Sequence, residues 1–295
     1  MKTSPTFVRE CRTYCGEQYM TVDLFRYSEE QRKRAKKQRR RREKVSAPKQ
    51  RCLNDKRAKR YFMQLLNTNF GSQDIRLDLT YKVEPETKGD ADKTVRNYLR
   101  RVAKWRQKQG LGPLKYILVT EGGDVSAQTG KRIRLHHHIV MNGGVNRDNL
   151  ELLWNTEPVR WKWLEDGKIY KGVPYREWLQ QHMLGYANTR KLQPGENGLE
   201  ALARYLTKDP KGKKRWTSSQ NLKKPERMTR DHHFSCRNFQ RSCMDGDIYS
   251  VEWWEKKYKG YTLAGCPATA VEADPPDEDG LNDWRVFAKL KKYLN

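Results

Sequence analysis

Between Ile75 and Met141 the spacing of apolar residues switches from every second position to every third or fourth and back, which restricts the middle of the chain to a mixed architecture. Ile75-Arg76-Leu77-Asp78-Leu79-Thr80-Tyr81 alternates apolar with polar side chains, as a half-buried strand requires. Over residues 92–108, Val95, Leu99, Val102 and Ala103 form a helical stripe, with Asp92 placed to cap it and Gly110 just past its end. Residues 115–121 and 132–141 are strands again. The breakers Gly122-Gly123 and Gln128-Thr129-Gly130 between them predict a hairpin, so the two strands should be antiparallel neighbours. Antiparallel pairing with a separate helix makes the expected class α+β.

On either side of this block the signals are weaker. Residues 19–25 alternate and read as a strand or hairpin arm, and residues 54–66 carry Tyr61, Phe62, Leu65 and Leu66 at helical spacing. Residues 29–44 favour helix but lack an apolar stripe, so they are an exposed helix or become ordered only on a partner. A short helix is expected at 147–154, capped from Asn146, and a hairpin at 161–170 with Glu165-Asp166-Gly167 as its turn. Asn197 and Glu200 have capping-box spacing ahead of Leu199, Leu202 and Leu206, and Asp209-Pro210 would stop that helix. An aromatic stretch at 249–261, an acidic Pro-rich linker at 272–279 and a short helix from Asn282 complete the chain. The expected domains are a basic N-terminal extension at 1–67, a catalytic domain at 68–235 and a C-terminal segment at 236–295.

The charge points to a partner class. Lys and Arg number 61 against 36 Asp and Glu, a net charge of +25 in 295 residues. Sixteen of the twenty-nine residues from 32 to 60 are Lys or Arg, and further basic clusters follow, several interleaved with Trp and Tyr. Cations beside flat aromatic faces suit single-stranded nucleic acid, where phosphates meet Lys and Arg while unpaired bases stack. The candidate contacts are Arg39, Arg40, Arg41, Arg42, Lys131, Arg134, Lys213, Lys214, Arg215, Lys223 and Lys224. A solvated basic surface is the plainer alternative. No run approaches the roughly 20 apolar residues of a membrane span, and the start lacks the apolar run of a signal peptide, so neither membrane nor secretion is expected. Six irregularly spaced cysteines suggest thiols in a reducing compartment, although Cys11 with Cys15, or His232 and His233 with Cys236 and Cys243, leave a zinc module open. No phosphate-cradling G-x-x-x-x-G-K-[ST] loop is present.

Two features carry chemistry. His136-His137-His138 lies in a strand pattern, where alternation sends His136 and His138 to one face and His137 to the other. Glu121, at the end of the hairpin partner, can converge with His136 and His138, and two imidazoles with a carboxylate suit a divalent metal, Mg²⁺ or Mn²⁺. Taken alone, a His-x-His is equally the mark of a polar edge strand. Tyr205 and Lys208 are three residues apart on the expected helix, so the phenol could attack phosphorus while the ammonium balances the developing charge. By itself that pair also fits an amphipathic core tyrosine with a solvated lysine.

In order, Leu79-Thr80, Glu121, His136-His137-His138 and Tyr205-Leu206-Thr207-Lys208 resemble the motifs of HUH endonucleases, specifically the rolling-circle replication initiators of bacterial plasmids, integrative elements and single-stranded DNA phages. The resemblance extends to Cys15-Gly16, Leu53-Asn54, Asn69-Phe70, Tyr81 and Ser219-Gln220-Asn221-Leu222-Lys223-Lys224-Pro225, covering roughly residues 11–235. It implies a central five-stranded antiparallel sheet with flanking helices, a metal on Glu121, His136 and His138, and a single nucleophilic tyrosine, Tyr205. It also implies origin DNA as substrate rather than a small molecule, host helicase and polymerase as partners, and residence in a bacterial cytoplasm. His137 departs from the bulky apolar residue usual between the ligands, and Lys208 stands where some relatives have a second tyrosine. A single-tyrosine transposase or a relaxase shares the chemistry, and a non-catalytic basic nucleic-acid-binding protein is the rival from another class.

Overall fold

The computed structural model of the chain describes residues 6–37, 48–123, 125, 129–208, 216–276 and 283–293. The elements begin with β1 (Thr6–Cys15), β2 (Tyr19–Ser28), α1 (Glu29–Lys37), α2 (Pro48–Asn69), β3 (Ile75–Leu79), α3 (Lys88–Lys108), β4 (Tyr116–Glu121) and β5 (His136–Met141). There follow α4 (Arg147–Leu152), α5 (Trp161–Glu165), β6 (Ile169–Tyr170), β7 (Val173–Pro174), α6 (Tyr175–Gln181), β8 (Ala187–Lys191) and α7 (Glu200–Leu206). The last are β9 (Thr217–Ser218), β10 (Glu226–Asp231), α8 (Cys236–Met244), α9 (Val251–Lys257), β11 (Tyr261–Leu263), α10 (Pro267–Ala270), β12 (Val271–Asp274) and β13 (Arg285–Lys292). The class is α+β, with antiparallel sheets. The chain divides into two compact units, one of Phe70–Gln193 and Leu206–Leu222, the other of Met1–Asn69, Pro194–Tyr205 and Lys223–Asn295.

The first of these units is built on a five-stranded antiparallel sheet in the order β8-β3-β5-β4-β9. Ile75, Leu77 and Leu79 of β3, Leu118 of β4, and Ile139 and Met141 of β5 join Val95, Tyr98, Leu99, Val102 and Trp105 of α3 in one core. Strand alternation therefore turns Asp78, Glu121, His136 and His138 to the sheet face away from α3. Helix α3 starts one turn earlier than expected. Its cap is Thr87, whose Oγ1 accepts from the Asp90 amide, while Asp92 lies inside the helix and takes a hydrogen bond from Thr120 Oγ1. Helix α4 is capped by Asn146 as its sequence implies.

The expected hairpin at 161–170 is a correction. Residues Trp161–Glu165 are helical, and the hairpin is the shorter Ile169–Tyr170 with Val173–Pro174, turning at Lys171 and Gly172, both at positive φ. The alternation of Trp161-Lys162-Trp163 misleads because the two indoles serve different cores. Trp161 packs on Trp105, whereas Trp163 packs on Tyr170 and Tyr175.

The other unit holds a six-stranded antiparallel sheet, β10-β1-β2-β13-β11, with β12 also on β13. The short helix expected from Asn282 is instead strand β13. Val286, Ala288 and Leu290 alternate into a core with Val22, Leu24 and Trp254, which a helix could not do. Part of the acidic linker is likewise strand β12, held to α2 by Arg60–Glu272 at 2.8 Å and Lys56–Asp274 at 3.0 Å. The Asn197–Glu200 capping box does not form. Asn67 Oδ1 accepts from the Leu199 amide at 2.8 Å, and both Glu200 oxygens accept from the buried Lys289 ammonium at 2.9 Å. Burying the Lys289 charge without that partner would be costly.

Candidate functional site

The site begins with the register of β4 on β5. Glu121 pairs with His136 and Val119 with His138, so the carboxylate and both imidazoles share one face. Their nearest ligand atoms all lie within 4.8 Å of one another. His136 Nε2 is 3.6 Å and His138 Nε2 4.0 Å from Glu121 Oε2. Gly122 follows at φ +94°, and a Cβ there would sit 2.3 Å from the Arg134 carbonyl oxygen, so glycine lets the two strand ends close at the site.

The opposite ring nitrogens decide what the imidazoles offer. His138 Nδ1 faces Asp78 Oδ1 of β3 at 2.5 Å, and His136 Nδ1 faces the Arg134 carbonyl at 2.9 Å. Both partners are acceptors, so each Nδ1 carries the hydrogen and each Nε2 lone pair is presented toward Glu121. That is the tautomer a metal ligand needs, with the orienting carboxylate common around such histidines. Burial works to raise the Asp78 carboxyl, but the hydrogen bonds with His138 and Arg76 outweigh it and hold it below the usual carboxylate range. At Glu121 burial is likewise outweighed by the bond with His136 and the charges of His138 and Lys208. The His136 imidazole is raised, chiefly by its bond with Glu121. An acidic oxygen and two imidazole nitrogens, with open directions remaining, are a donor set that fits a divalent cation.

His137 is excluded from this group by geometry. It is fully buried on the α3 face, where Nε2 meets the Tyr81 hydroxyl at 2.7 Å and Nδ1 the Thr120 hydroxyl at 2.9 Å. Burial, aided by the charges of His136 and His138, pushes its pKa down to about 3, so it is a neutral core residue. Of the three histidines, only His136 and His138 converge with Glu121. The zinc alternatives find no support among the described residues. Cys11 is buried against Thr229 and Arg227, His233 binds Glu10, and the one converging His/Cys/Asp/Glu group is Glu121, His136 and His138.

Lys208 Nζ lies 3.4 Å from Glu121 Oε2. Helix α7 ends at Leu206, so Lys208 follows the helix instead of sharing a helical face with Tyr205. Tyr205 is 40% exposed on α7 and belongs to the other unit's segment. Lys131, Lys223 and Lys224 are exposed. Arg134 ties down the loop after β3, donating to the Tyr81 carbonyl at 2.7 Å and the Lys82 carbonyl at 3.2 Å. Arg39, Arg40, Arg41, Arg42, Lys213, Lys214 and Arg215, with the Asp209-Pro210 stop, lie outside the described residues. Asp78 was missed by the sequence reading, although its place on the polar side of an alternating strand, two residues before Thr80, was a usable signal.

Residues 74–210 match the family model of the replication-associated protein ORF2 group. The span is somewhat under half of the chain and contains Asp78, Glu121, His136, His138, Tyr205 and Lys208. No curated protein and no solved structure matches the chain. The similarity is thus to a family named for replication. Among the described residues no helix is long and apolar enough to cross a membrane.

Proposed function

We propose that the chain is an HUH-type endonuclease that cuts single-stranded origin DNA through Tyr205 and so starts rolling-circle replication. The observation that carries this reading is the convergence of Glu121, His136 and His138 inside the segment similar to a replication-associated family. In this reading residues 68–235 are the catalytic domain of HUH fold, residues 1–67 a basic DNA-binding extension, and residues 236–295 a C-terminal segment. Glu121, His136 and His138 would hold Mg²⁺ or Mn²⁺. When bound, such a cation supplies charge that polarises a phosphodiester.

The chain's own groups do the rest. Lys208, beside Glu121, adds positive charge where negative charge develops. Three peptide units separate Tyr205 from Lys208, which limits their Cα separation to about 11 Å. The Tyr205 oxygen attacks phosphorus, the bond to the 3′ oxygen breaks, the phenol proton leaves to solvent and the departing oxygen takes one up. The products are a 5′-phosphotyrosine and a free 3′-OH that primes a host polymerase, with strand separation supplied by a host helicase, all in the bacterial cytoplasm. A relaxase is disfavoured because Tyr205 follows the histidines, and a transposase because the matched family is named for replication.

The test is incubation with labelled single-stranded origin DNA and Mn²⁺. A covalent adduct is expected, with the nucleotide on the peptide containing Tyr205 by mass spectrometry, and Tyr205→Phe should abolish it without changing the fold. An adduct mapped to another tyrosine overturns the assignment of the nucleophile. DNA binding without any adduct overturns the enzyme reading in favour of a non-catalytic DNA-binding protein.

A further inference from the structure

Between α4 and β8 the chain makes an excursion, residues 155–183, that the chemistry above does not use. Its neck is closed by a bridge from Asn155 to Met183, by the Thr156 amide donating to the His182 carbonyl at 3.1 Å, and by the Leu184 amide donating to the Trp154 carbonyl at 3.1 Å. Gly185 pins it to the sheet, since a Cβ there would lie 2.1 Å from the Thr80 oxygen. Ala187 then pairs with Leu79, which pairs with His137. The excursion therefore leaves from the sheet end that bears Glu121, His136 and His138, with β8 two strand spacings, about 10 Å, from β5.

Inside it is a cavity of about 200 Å³ lined by Glu157, Arg160, Trp163, Tyr170, Tyr175 and Trp178. That is several times the roughly 30 Å³ share of one water and below the roughly 300 Å³ at which pockets for larger ligands begin. One flat heterocycle suits it. Leu152, Tyr175 and Leu179 are buried beneath, while Trp163, Tyr170 and Trp178 stay partly exposed. Tyr175 and Trp178 stack within 13° of parallel, and Trp178 stacks on His182 with centroids 4.0 Å apart.

The cations around these rings decide the ligand class. Arg160 and Lys168 already lie over Trp163 at 4.1 and 4.0 Å, and Lys171 is 5.5 Å from Tyr170 and 5.7 Å from Trp178. A cationic ligand would meet rings whose negative faces are already answered and three like charges besides. A neutral ring on an anionic backbone meets stacking surfaces and phosphate partners together. The exposed Glu157 carboxylate adds an acceptor at the wall. Two adjacent donors on one edge, N1–H and N2–H, belong to guanine alone among the four bases.

We propose that the cavity of residues 155–183 takes one unpaired nucleobase of single-stranded DNA, guanine in preference, so that the bound strand is held at a fixed offset from the metal-binding face. The choice of DNA as ligand rests on the function proposed above; the pocket itself rests on its own geometry.

The experiment is an abasic scan. Anisotropy titrations of the full chain use a single-stranded oligonucleotide of otherwise uniform thymine with one guanine, and then versions with an abasic spacer at each position. For the wild type, removing the guanine should weaken binding roughly five- to hundredfold, and other positions should matter less. Trp178→Ala should weaken binding by a similar factor and make the guanine position indifferent, whereas Trp178→Phe should restore both. Glu157→Gln should reduce the preference for guanine over inosine while leaving overall affinity nearly intact. Adduct formation at saturating DNA is read in parallel. A flat scan, or an unchanged scan in Trp178→Ala, overturns the pocket even if adduct forms. A guanine-specific loss that vanishes in Trp178→Ala supports it even if no adduct forms. Saturable quenching of tryptophan by tetramethylammonium with a flat scan also overturns it, in favour of a cation cage.

Discussion

Asp78 offers the sharpest test of how the metal-binding group is held. Its Oδ1 receives His138 Nδ1 at 2.5 Å and Arg76 Nε at 3.0 Å, so one carboxylate sets both the ring orientation and the tautomer of His138. Asp78→Ala removes both constraints. The imidazole can then rotate and can place its hydrogen on Nε2, where it blocks metal binding. Loss of such an orienting carboxylate costs about tenfold to hundredfold in metal affinity, or about 1.4–2.7 kcal/mol. Asp78→Asn keeps an acceptor oxygen but loses the charge, so its loss should be smaller. The expected order of Mn²⁺ affinity is wild type, then Asn, then Ala, measured by calorimetric titration at pH 7.5 with thermal unfolding as a check on folding. An Ala variant that folds and binds Mn²⁺ within twofold of wild type would refute the reasoning, because His138 would then be oriented by something else.

Three further perturbations follow from the geometry. Lys208→Ala should slow single-turnover adduct formation by about tenfold to hundredfold without abolishing it, the loss being limited by the exposure of the side chain; an unchanged rate removes Lys208 from the chemistry. His137 stays neutral when folded down to a pH of about 3, whereas the unfolded chain takes up that proton below about 6.5. Its contribution to stability is therefore whole above pH 6.5 and is lost as pH falls toward 3, by at most about 1.4 kcal/mol per pH unit, and urea unfolding of the metal-free protein should show that component disappear in His137→Gln. Lys289→Met leaves the Glu200 carboxylate buried without its partner and should cost about 3–5 kcal/mol in urea unfolding, with Glu200→Leu added to it recovering most of the loss; additive effects of the two changes would show that the ion pair carries little.

Much of the sheet that carries the candidate site was legible because its signals are local. The alternation of residues 75–81 marked β3, the glycines between β4 and β5 marked their antiparallel pairing, and period two alone put His136 and His138 on one face. Errors fell where two local signals competed. Asp92 looked like a cap, but Thr87 has Asp90 three residues on and starts the helix a turn earlier. Trp161-Lys162-Trp163 looked like a strand because alternate residues are apolar, yet the two indoles belong to separate cores on either side of a helix. In β13 the alternation of Val286, Ala288 and Leu290 was present and went unread beside the acidic stretch.

By itself the sequence determined the elements whose periodicity exceeds their noise, and the chemical kinds of the residues on their polar faces. What only the tertiary structure decided were pairings between segments remote along the chain. β13 joins β2 through partners such as Arg285 and Asp23, 262 residues apart, and Lys289 meets Glu200 across 89. Asp78 reaches His138 across 60 residues, and Lys208 reaches Glu121 from beyond the end of its helix. Strand alternation and helix stripes are consequences of bond geometry within a few residues. Which strand edges join, and which buried charge meets which, depends on the free energy of closing long loops against the burial gained, a balance that no short window of sequence contains.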